Sequence, residues 1–165
     1  MPKMIREIAA EEELEQSAAV VRYSFMTVAA EFTLTLENCP THPAFTTAEK
    51  LRHMRDRGVK LFGLFDGDRQ IGFVAVEKAS DAVYYVERLA VLPEYRHAGM
   101  GRRLMDFAFD YVRQAGGEVI SIGVIADNGI LKRWYKSYGF RETSLKRFGN
   151  LPFTVCFMEK RVASS

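Results

Sequence analysis

Cysteine is scarce in this sequence, and the cysteines stand far apart. Cys39 and Cys156 are the 2 cysteines among 165 residues, which is too few and too scattered for a disulfide framework or a zinc site. We expect both to be structural, and we predict no metal ion. A chain of this length buries roughly 70% of its unfolded surface, so it needs no cross-links to fold.

Excess charge of one sign and long apolar runs are also missing. The 23 Lys+Arg against 21 Asp+Glu give a net charge of +2, whereas nucleic-acid-binding proteins usually show a basic excess. No run approaches the roughly 18 apolar residues that span a membrane. The first residues include an acidic side chain and lack the apolar core of a signal peptide. We predict a cytoplasmic protein without nucleic-acid or membrane partners.

The length and the even composition predict one domain over residues 1–165. Domains usually hold roughly 100–200 residues, and the chain has 165 with no repeat, linker or low-complexity tract. We expect only the tail, Ala163–Ser165, to be loose.

The spacing of apolar residues alternates between helical and extended periods along the chain. The interleaved order predicts an α/β (mixed α+β) fold, in which a mixed sheet carries helices on both faces. We expect the strand Val83–Leu92 to be buried on both faces, because it is almost wholly apolar. The predicted strands are Ile5–Ala9, Lys60–Asp66, Gln70–Glu77, Val83–Leu92, Glu118–Ile125, Phe140–Arg147 and Phe153–Lys160. The predicted helices are Glu11–Phe32, a second that begins after Thr47 and ends near Gly58, Met100–Ala115 and Asn128–Tyr138.

The most informative segment, Leu89–Arg103, runs from a strand through a loop into a helix. Gly99 and Gly101 lack a Cβ, so the backbone can approach a ligand closely. A helix that starts here presents unpaired N–H groups and a positive dipole end, which favour an anion and disfavour cations. Basic or potentially basic side chains nevertheless gather at this end: Arg96, His97, Arg102 and Arg103. The pattern predicts an anion site, and the alternative is an ordinary glycine turn with solvated arginines.

Two motifs in the sequence resemble those of the GNAT acetyltransferases. Arg96-His97-Ala98-Gly99-Met100-Gly101 is similar to that family's Arg/Gln-x-x-Gly-x-Gly/Ala signature, and Leu89–Tyr95 resembles its fourth strand. Downstream, Asn128, Tyr135 and Tyr138-Gly139-Phe140 resemble its second motif. The order of predicted elements is also the family's order. The resemblance implies a mostly antiparallel, seven-stranded sheet that is splayed between the fourth and fifth strands.

The resemblance implies acetyl-CoA as the cosubstrate. The loop amides would bind the pyrophosphate, with the Arg96 or Arg102 side chain helping, and the pantetheine arm would pair with the strand edge and with the Asn128 amide. The residues so implied to bind the cofactor are Leu89, Ala90, Val91, Arg96, His97, Ala98, Gly99, Met100, Gly101, Arg102, Asn128 and Tyr135.

The chemistry implied is direct attack of an amine on the thioester carbonyl. Tyr135 is the candidate acid for the departing thiolate, and Glu87 the candidate base. The alternatives are a core tyrosine and a glutamate paired with a cation from a neighbouring strand. Strand alternation predicts that Tyr85, Glu87, Leu89 and Val91 share one face. By the same alternation Arg88 points the other way and cannot pair with Glu87.

The acceptor is the least determined part of the site. Family members build it from segments that correspond to residues 31–46 and 148–153, and aromatic side chains there would suit an apolar or aryl amine. The candidate acceptor-binding residues are Phe32, His42, Glu87 and Phe153. The alternative is that the aromatics belong to the core. We predict a small-molecule amine, since no acidic groove or peptide-binding strand is visible, and a homodimer is compatible with the sequence.

Two other kinds of function remain open at this stage. One is a catalytically weak CoA-binding sensor, against which the retention of both Glu87 and Tyr135 argues. The other is an RNA- or ribosome-associated role, against which the nearly balanced charge argues.

Overall fold

The computed structural model describes residues 2–162, so the tail Ala163–Ser165 that we expected to be loose lies outside the described residues. Within that range the chain forms strands and helices in the expected order. The strands are β1 (Lys3–Glu7), β2 (Lys60–Asp66), β3 (Arg69–Lys78), β4 (Val83–Val91), β5 (Val119–Ile125), β6 (Arg141–Arg147) and β7 (Thr154–Arg161). The α-helices are α1 (Leu14–Glu31), α2 (Ala48–Asp56), α3 (Met100–Gln114) and α4 (Gly129–Tyr138).

The first strand lies earlier in the chain than predicted. It ends at Glu7 rather than at Ala9. Its apolar residues, Met4 and Ile5, are exposed and half-buried, so this edge strand carries little of the alternation that marks a strand in a sequence. The first predicted helix begins as a short 3-10 turn at Glu11–Glu13 and becomes α-helical at Leu14.

The sheet is mixed and mostly antiparallel, as predicted. The strand order is β1-β2-β3-β4-β5-β7-β6, and β4 and β5 are the parallel neighbours. These two strands pair only through Val83↔Val119, Tyr84↔Ile120 and Tyr85↔Ser121. Beyond those pairs β4 and β5 separate, which confirms the predicted splay.

Helices cover both faces of the sheet. On one face Ser17 Oγ of α1 donates a hydrogen bond to Gln70 Oε1 of β3 at 3.0 Å. On the other face the Phe62 ring of β2 packs against Phe107 and Tyr111 of α3, with ring centroids 4.8 and 5.2 Å apart. The sheet is thus enclosed between α1 with α2 and α3, and most of the buried core lies in these two layers.

The burial expected for β4 was only partly right. Tyr84, Val86 and Ala90 are buried, but Tyr85 is 42% exposed and the remaining residues of the strand are half-buried. Its second half lines a cavity where β5 has moved away, so a nearly all-apolar strand is not covered on every side.

The α3 layer should carry a large share of the stability. Leu104 is 0% exposed, so Leu104→Ala should lower the free energy of unfolding by about 2–5 kcal/mol, because it leaves a cavity. Leu145→Ala on β6 is the matched control: that side chain is 65% exposed, and its loss should cost less than about 0.5 kcal/mol. Urea denaturation measures both, and equal losses would contradict this packing.

Candidate active site

A cavity of about 730 Å³ opens where β4 and β5 separate, within the roughly 300–1,000 Å³ typical of ligand pockets. Its walls come from the second half of α1, the loop before α2, β4, the loop into α3, β5 and α4. The residues that line it are Ser24, Phe25, Thr27, Val28, Glu31, Thr41, Pro43, Val86–Val91, Tyr95–His97, Gly99–Arg102, Ile122–Val124, Asn128, Ile130, Leu131, Trp134 and Tyr135.

The loop between β4 and α3 presents a run of unpaired backbone donors. Within residues 2–162, no carbonyl or side-chain acceptor is found for the N–H groups of His97–Arg102, and the helical ladder starts with Arg103 N–H bonding to Gly99. His97 and Gly99 have left-handed backbones, with φ of 64° and 80°. Unpaired successive amides around left-handed residues, just before a helix, are the arrangement from which anion-binding nests are built.

The basic side chains near this loop divide into two groups. Arg96 donates to the Ser24 carbonyl of α1 at 2.5 Å, and Arg103 donates to the Lys3 carbonyl at 2.6 Å. Both therefore anchor the loop to the rest of the fold. The Arg102 guanidinium stacks over the Tyr138 ring, 5.0 Å from its centroid, while His97 is exposed at the cavity mouth. The Arg102 guanidinium is thus the charge left to meet an anion, with the His97 side chain beside the same loop.

Asn128 stands at the start of α4 and is 8% exposed. Its Oδ1 accepts a hydrogen bond from the Leu131 N–H at 3.2 Å, which caps the helix. The cap uses the oxygen of the amide and leaves the Nδ2 donor for a ligand in the cavity.

Tyr135 combines a core ring with a hydroxyl at the cavity. The ring meets Trp134 and Phe140 edge to face, with centroids 5.1 and 5.5 Å apart. Burial raises the pKa of the phenol above its ordinary value, so the hydroxyl stays protonated at neutral pH. Within residues 2–162 no hydrogen-bond partner of this hydroxyl is found, and no fully buried side-chain oxygen lacks a partner, so the hydroxyl is open to the cavity. Tyr135 is thus both a core residue, through its ring, and a candidate acid, through its hydroxyl, which are the two interpretations that the sequence left open.

A β-bulge interrupts β4 at Arg88, and it corrects two predictions about this strand. Ala75 pairs with Glu87, but Phe73 pairs with Ala90, so β4 contains an extra residue. Arg88 accommodates it with a left-handed φ of 53°. Because paired residues lie on the same face, Ala90 follows Glu87 on that face, and the prediction that Leu89 and Val91 share it was wrong.

The bulge also brings Arg88 beside Glu87, which the alternation rule had excluded. Arg88 Nη1 lies 3.8 Å from Glu87 Oε2, and both residues line the cavity. The neighbouring strand supplies a second carboxyl, Glu77, and not the cation that the alternative interpretation of Glu87 required. Burial and that carboxyl raise the pKa of Glu87 to about 7. A carboxyl with this pKa can accept a proton near neutral pH.

The remaining acceptor candidates lie behind the cavity wall. His42 is buried, its Nδ1 accepts the Ala44 N–H at 3.1 Å, and burial lowers its pKa to about 4, so it is neutral. Phe32 and Phe153 pack on a small second core. Phe32, His42, Phe153 and the loop residue Ala98 are not among the lining residues, and their roles stay predictions.

Residues of α1 and of the loop before α2 form one wall of the cavity. We call this the α1 wall; its residues are Phe25, Val28, Glu31, Thr41 and Pro43. Glu31, Thr41 and Pro43 fall in the segment 31–46 that was expected to build the acceptor site, whereas Phe25 and Val28 lie outside it. Phe25 and Val28 continue the helical spacing of the apolar residues Leu14, Ala18 and Val21 along α1. Apolar spacing does not distinguish a side chain that packs in a core from one that faces a cavity.

Comparison with known proteins gives the family. The model of the acetyltransferase (GNAT) family matches residues 25–140. The chain therefore belongs to the GNAT acetyltransferase family and is an enzyme of the acyltransferase class. No described helix is long and apolar enough to cross a membrane. Within residues 2–162, no cluster of three or more His, Cys, Asp or Glu side chains could hold a metal ion.

Individual relatives agree with this assignment. The alanine N-acetyltransferase of ribosomal protein bS18 from Escherichia coli K12 is 25% identical over 115 residues, 64% of this chain and 78% of the relative. A crystal structure of the Escherichia coli ribosomal-protein-S18-alanine N-acetyltransferase matches with a TM-score of 0.77 at 16% identity, over 99% and 96% of the two chains. The Thermoplasma acidophilum PaiA N-acetyltransferase in complex with coenzyme A matches with a TM-score of 0.74 at 22% identity, over 98% and 99%. These structural matches show a shared fold.

The pKa of Glu87 predicts a specific pH effect on stability. The carboxyl has a pKa of about 7 in the folded chain against an ordinary value of 4.5. The protonated carboxyl therefore stabilises the folded chain. This stabilisation is fully present below pH 4.5 and is lost as the pH rises through about 7. The glutamine of Glu87→Gln cannot ionise. The free energy of unfolding of this variant, relative to that of wild type, should therefore rise by on the order of 2 kcal/mol between these two pH values.

Denaturant unfolding of both proteins from pH 4 to pH 8 measures this difference. His42, whose pKa is lowered, changes stability in the opposite direction but does so in both proteins. A stability difference that stays constant across the range would contradict the raised pKa.

Proposed function

We propose that this enzyme transfers the acetyl group of acetyl-CoA directly to a primary amine in the cavity between β4 and β5. The observation that carries the proposal is the run of unpaired amides at His97–Arg102, which opens into the same cavity as Glu87 and Tyr135. Members of the GNAT family use acetyl-CoA, and the polar groups present suit its parts.

In this proposal the His97–Arg102 amides bind the pyrophosphate, and the Arg102 side chain adds a positive charge. The free edge of β4 at Leu89–Val91 pairs with the amides of the pantetheine arm, in the manner of an added strand. Asn128 donates from Nδ2 to the same arm. Gly123 of β5, which has no side chain and is exposed, leaves room for it.

The chemistry follows from two side chains that line the cavity, Glu87 of β4 and Tyr135 of α4. Glu87 removes a proton from the acceptor ammonium, which a carboxyl with a pKa of about 7 can do at neutral pH. The neutral amine nitrogen then forms a bond to the acetyl carbon as the carbon–sulfur bond breaks, and the nitrogen releases its second proton, which replaces the proton that the departing sulfur takes up. Tyr135 donates a proton or hydrogen bond to the departing sulfur, since its raised pKa keeps the phenol protonated.

Two kinds of acceptor merit a test. The sequence-based prediction is a small-molecule amine. The name of the Escherichia coli relative, an alanine N-acetyltransferase of a ribosomal protein, instead favours the α-amine of a protein N-terminus. The residues of the α1 wall do not favour one kind of acceptor over the other. A cytoplasmic location stays a prediction, and the two free, buried cysteines are compatible with a reducing compartment. A homodimer also stays a prediction.

Release of free CoA thiol tests the transfer directly. Acetyl-CoA would be offered with aryl amines, alkyl amines and peptides that begin with alanine, and we expect thiol release with at least one class. Tyr135→Phe should then lower turnover by roughly 10²–10⁴-fold, because the departing sulfur loses its proton donor, with little change in acetyl-CoA affinity.

Tyr138→Phe on the same helix is the matched control. Its hydroxyl bonds to Asp106, and Tyr138 is not a lining residue, so turnover should hold. Equal turnover in wild type and Tyr135→Phe would remove Tyr135 as the acid. Tight binding of acetyl-CoA without thiol release from any amine would favour the sensor.

The loop amides have their own test. Gly99 has a φ of 80° with no atom near its missing Cβ, and a valine there would be strained by roughly 1–2 kcal/mol and would displace the nest. Gly99→Val should weaken CoA binding by about tenfold or more. Gly101→Val should act similarly, because its Cβ would already touch Trp134 at 3.4 Å and the two methyl groups of valine need further room beside the nest.

Gly116→Val at the far end of α3 is the matched control, since Gly116 has a φ of 90° and equally open surroundings. Calorimetric titration with CoA measures affinity in all three variants. If Gly99→Val and Gly116→Val bind CoA alike, the nest does not bind the pyrophosphate.

A further inference from the structure

Arg88 is a half-buried cation that the proposed chemistry leaves unused. Its side chain is 17% exposed and lines the cavity beside Glu87. Burying a charge without a partner is costly. Burial accordingly lowers the pKa of this guanidinium from its ordinary value. A charge kept in such a position needs a compensating group.

The protein itself compensates Arg88 incompletely. Nε donates to Thr46 Oγ1 at 3.2 Å, and within residues 2–162 this is the hydrogen bond found for the side chain. The carboxylate of Glu87 is 3.8 Å from Nη1, beyond hydrogen-bond distance. Glu87 also lies close to Glu77, which favours its protonated form. Both Nη groups of Arg88 therefore keep unused donors at the cavity.

The direction of these donors is set by the backbone. An arginine in regular β4 would have pointed away from the Glu87 face, but the bulge, with φ of 53° at Arg88, turns the side chain toward it. Thr46, which is buried, then holds Nε in place. A left-handed backbone at a non-glycine residue is costly and persists at sites where it serves function.

We propose that the Arg88 guanidinium binds a carboxylate of the acceptor, so that the preferred substrates are amines that also carry an acidic group. A planar guanidinium with two free Nη groups matches a carboxylate in a two-pronged geometry. Glu87 and Glu31 also line the cavity, and their carboxyl groups would repel a doubly charged phosphate more strongly than a singly charged carboxylate. The amine is then directed to Glu87 while its carboxylate is held by Arg88. This inference rests on the proposed acetyl transfer and narrows its substrate class.

The test uses pairs of amines that differ only in the acidic group. One pair is phenylalanine and phenethylamine, which represents free amino acids. The other pair represents protein N-termini: a tripeptide amide that begins with alanine and has glutamate second, and its glutamine analogue. The ratio of kcat/KM within a pair should favour the acidic member by about 10- to 100-fold, the value of a charged hydrogen-bonded pair. The pair with the larger ratio identifies the source of the carboxylate.

Arg88→Gln should reduce that ratio to near unity, and Arg88→Lys should retain part of it. Arg113→Gln on α3 is the control, because Arg113 pairs with Asp110 away from the cavity; its ratio should equal that of wild type. Thermal unfolding and CoA titration of each variant show that the fold persists.

A separate binding measurement distinguishes failure of the carboxylate site at Arg88 from failure of the proposed acetyl transfer. CoA-saturated protein is titrated with both members of each pair by calorimetry, which requires no turnover. Tighter binding of the acidic members that Arg88→Gln abolishes supports the carboxylate site even if no thiol is released, and in that case acetyl transfer alone fails. Equal binding and equal turnover within both pairs, or a preference that survives Arg88→Gln, overturns the inference.

Discussion

Adjacent strands normally satisfy each other's backbone N–H and C=O groups, and β4 and β5 cease to do so after Tyr85 and Ser121. Buried or half-buried backbone groups without partners are costly. The separation therefore creates a cavity whose wall has an unpaired strand edge, and the amides of His97–Arg102 add further donors at its end. A long ligand with amide and phosphate groups can satisfy both sets. The placement of Glu87 and Tyr135 matters because they line this same opening.

The bulge at Arg88 is the second constraint on the site. One extra residue in β4 places Glu87 and Arg88 at the same cavity. The carboxyl of Glu87 does not fully neutralise the Arg88 charge beside it. Glu77 is also close to Glu87 and helps to raise its pKa to about 7, so Glu87 is partly protonated at neutral pH. A carboxyl that exchanges its proton near neutral pH and a guanidinium with free donors are suited to different parts of one substrate.

Much of the fold could be predicted, because the period of the hydrophobic residues and the positions of the glycines indicate locally where helices, strands and turns lie. The helices, most strands and the loop at Gly99 followed from such patterns, and the splay followed from the family resemblance. The bulge could not be predicted, because a non-glycine residue with φ of 53° leaves no mark in the sequence. Phe25 and Val28 of the α1 wall were missed because they have the spacing of core residues. His42 is held by a local bond to Ala44, which charge and aromatic content do not reveal.

The proposed site depends above all on the backbone between β4 and α3, which is to bind the diphosphate of CoA. Amide NMR of the ¹⁵N-labelled protein, titrated with CoA, measures it residue by residue. We expect the largest shifts at His97–Arg102, downfield as these N–H groups gain phosphate acceptors, with smaller changes along Leu89–Val91. CoA binding that leaves the His97–Arg102 amides unshifted while other residues move would contradict the account.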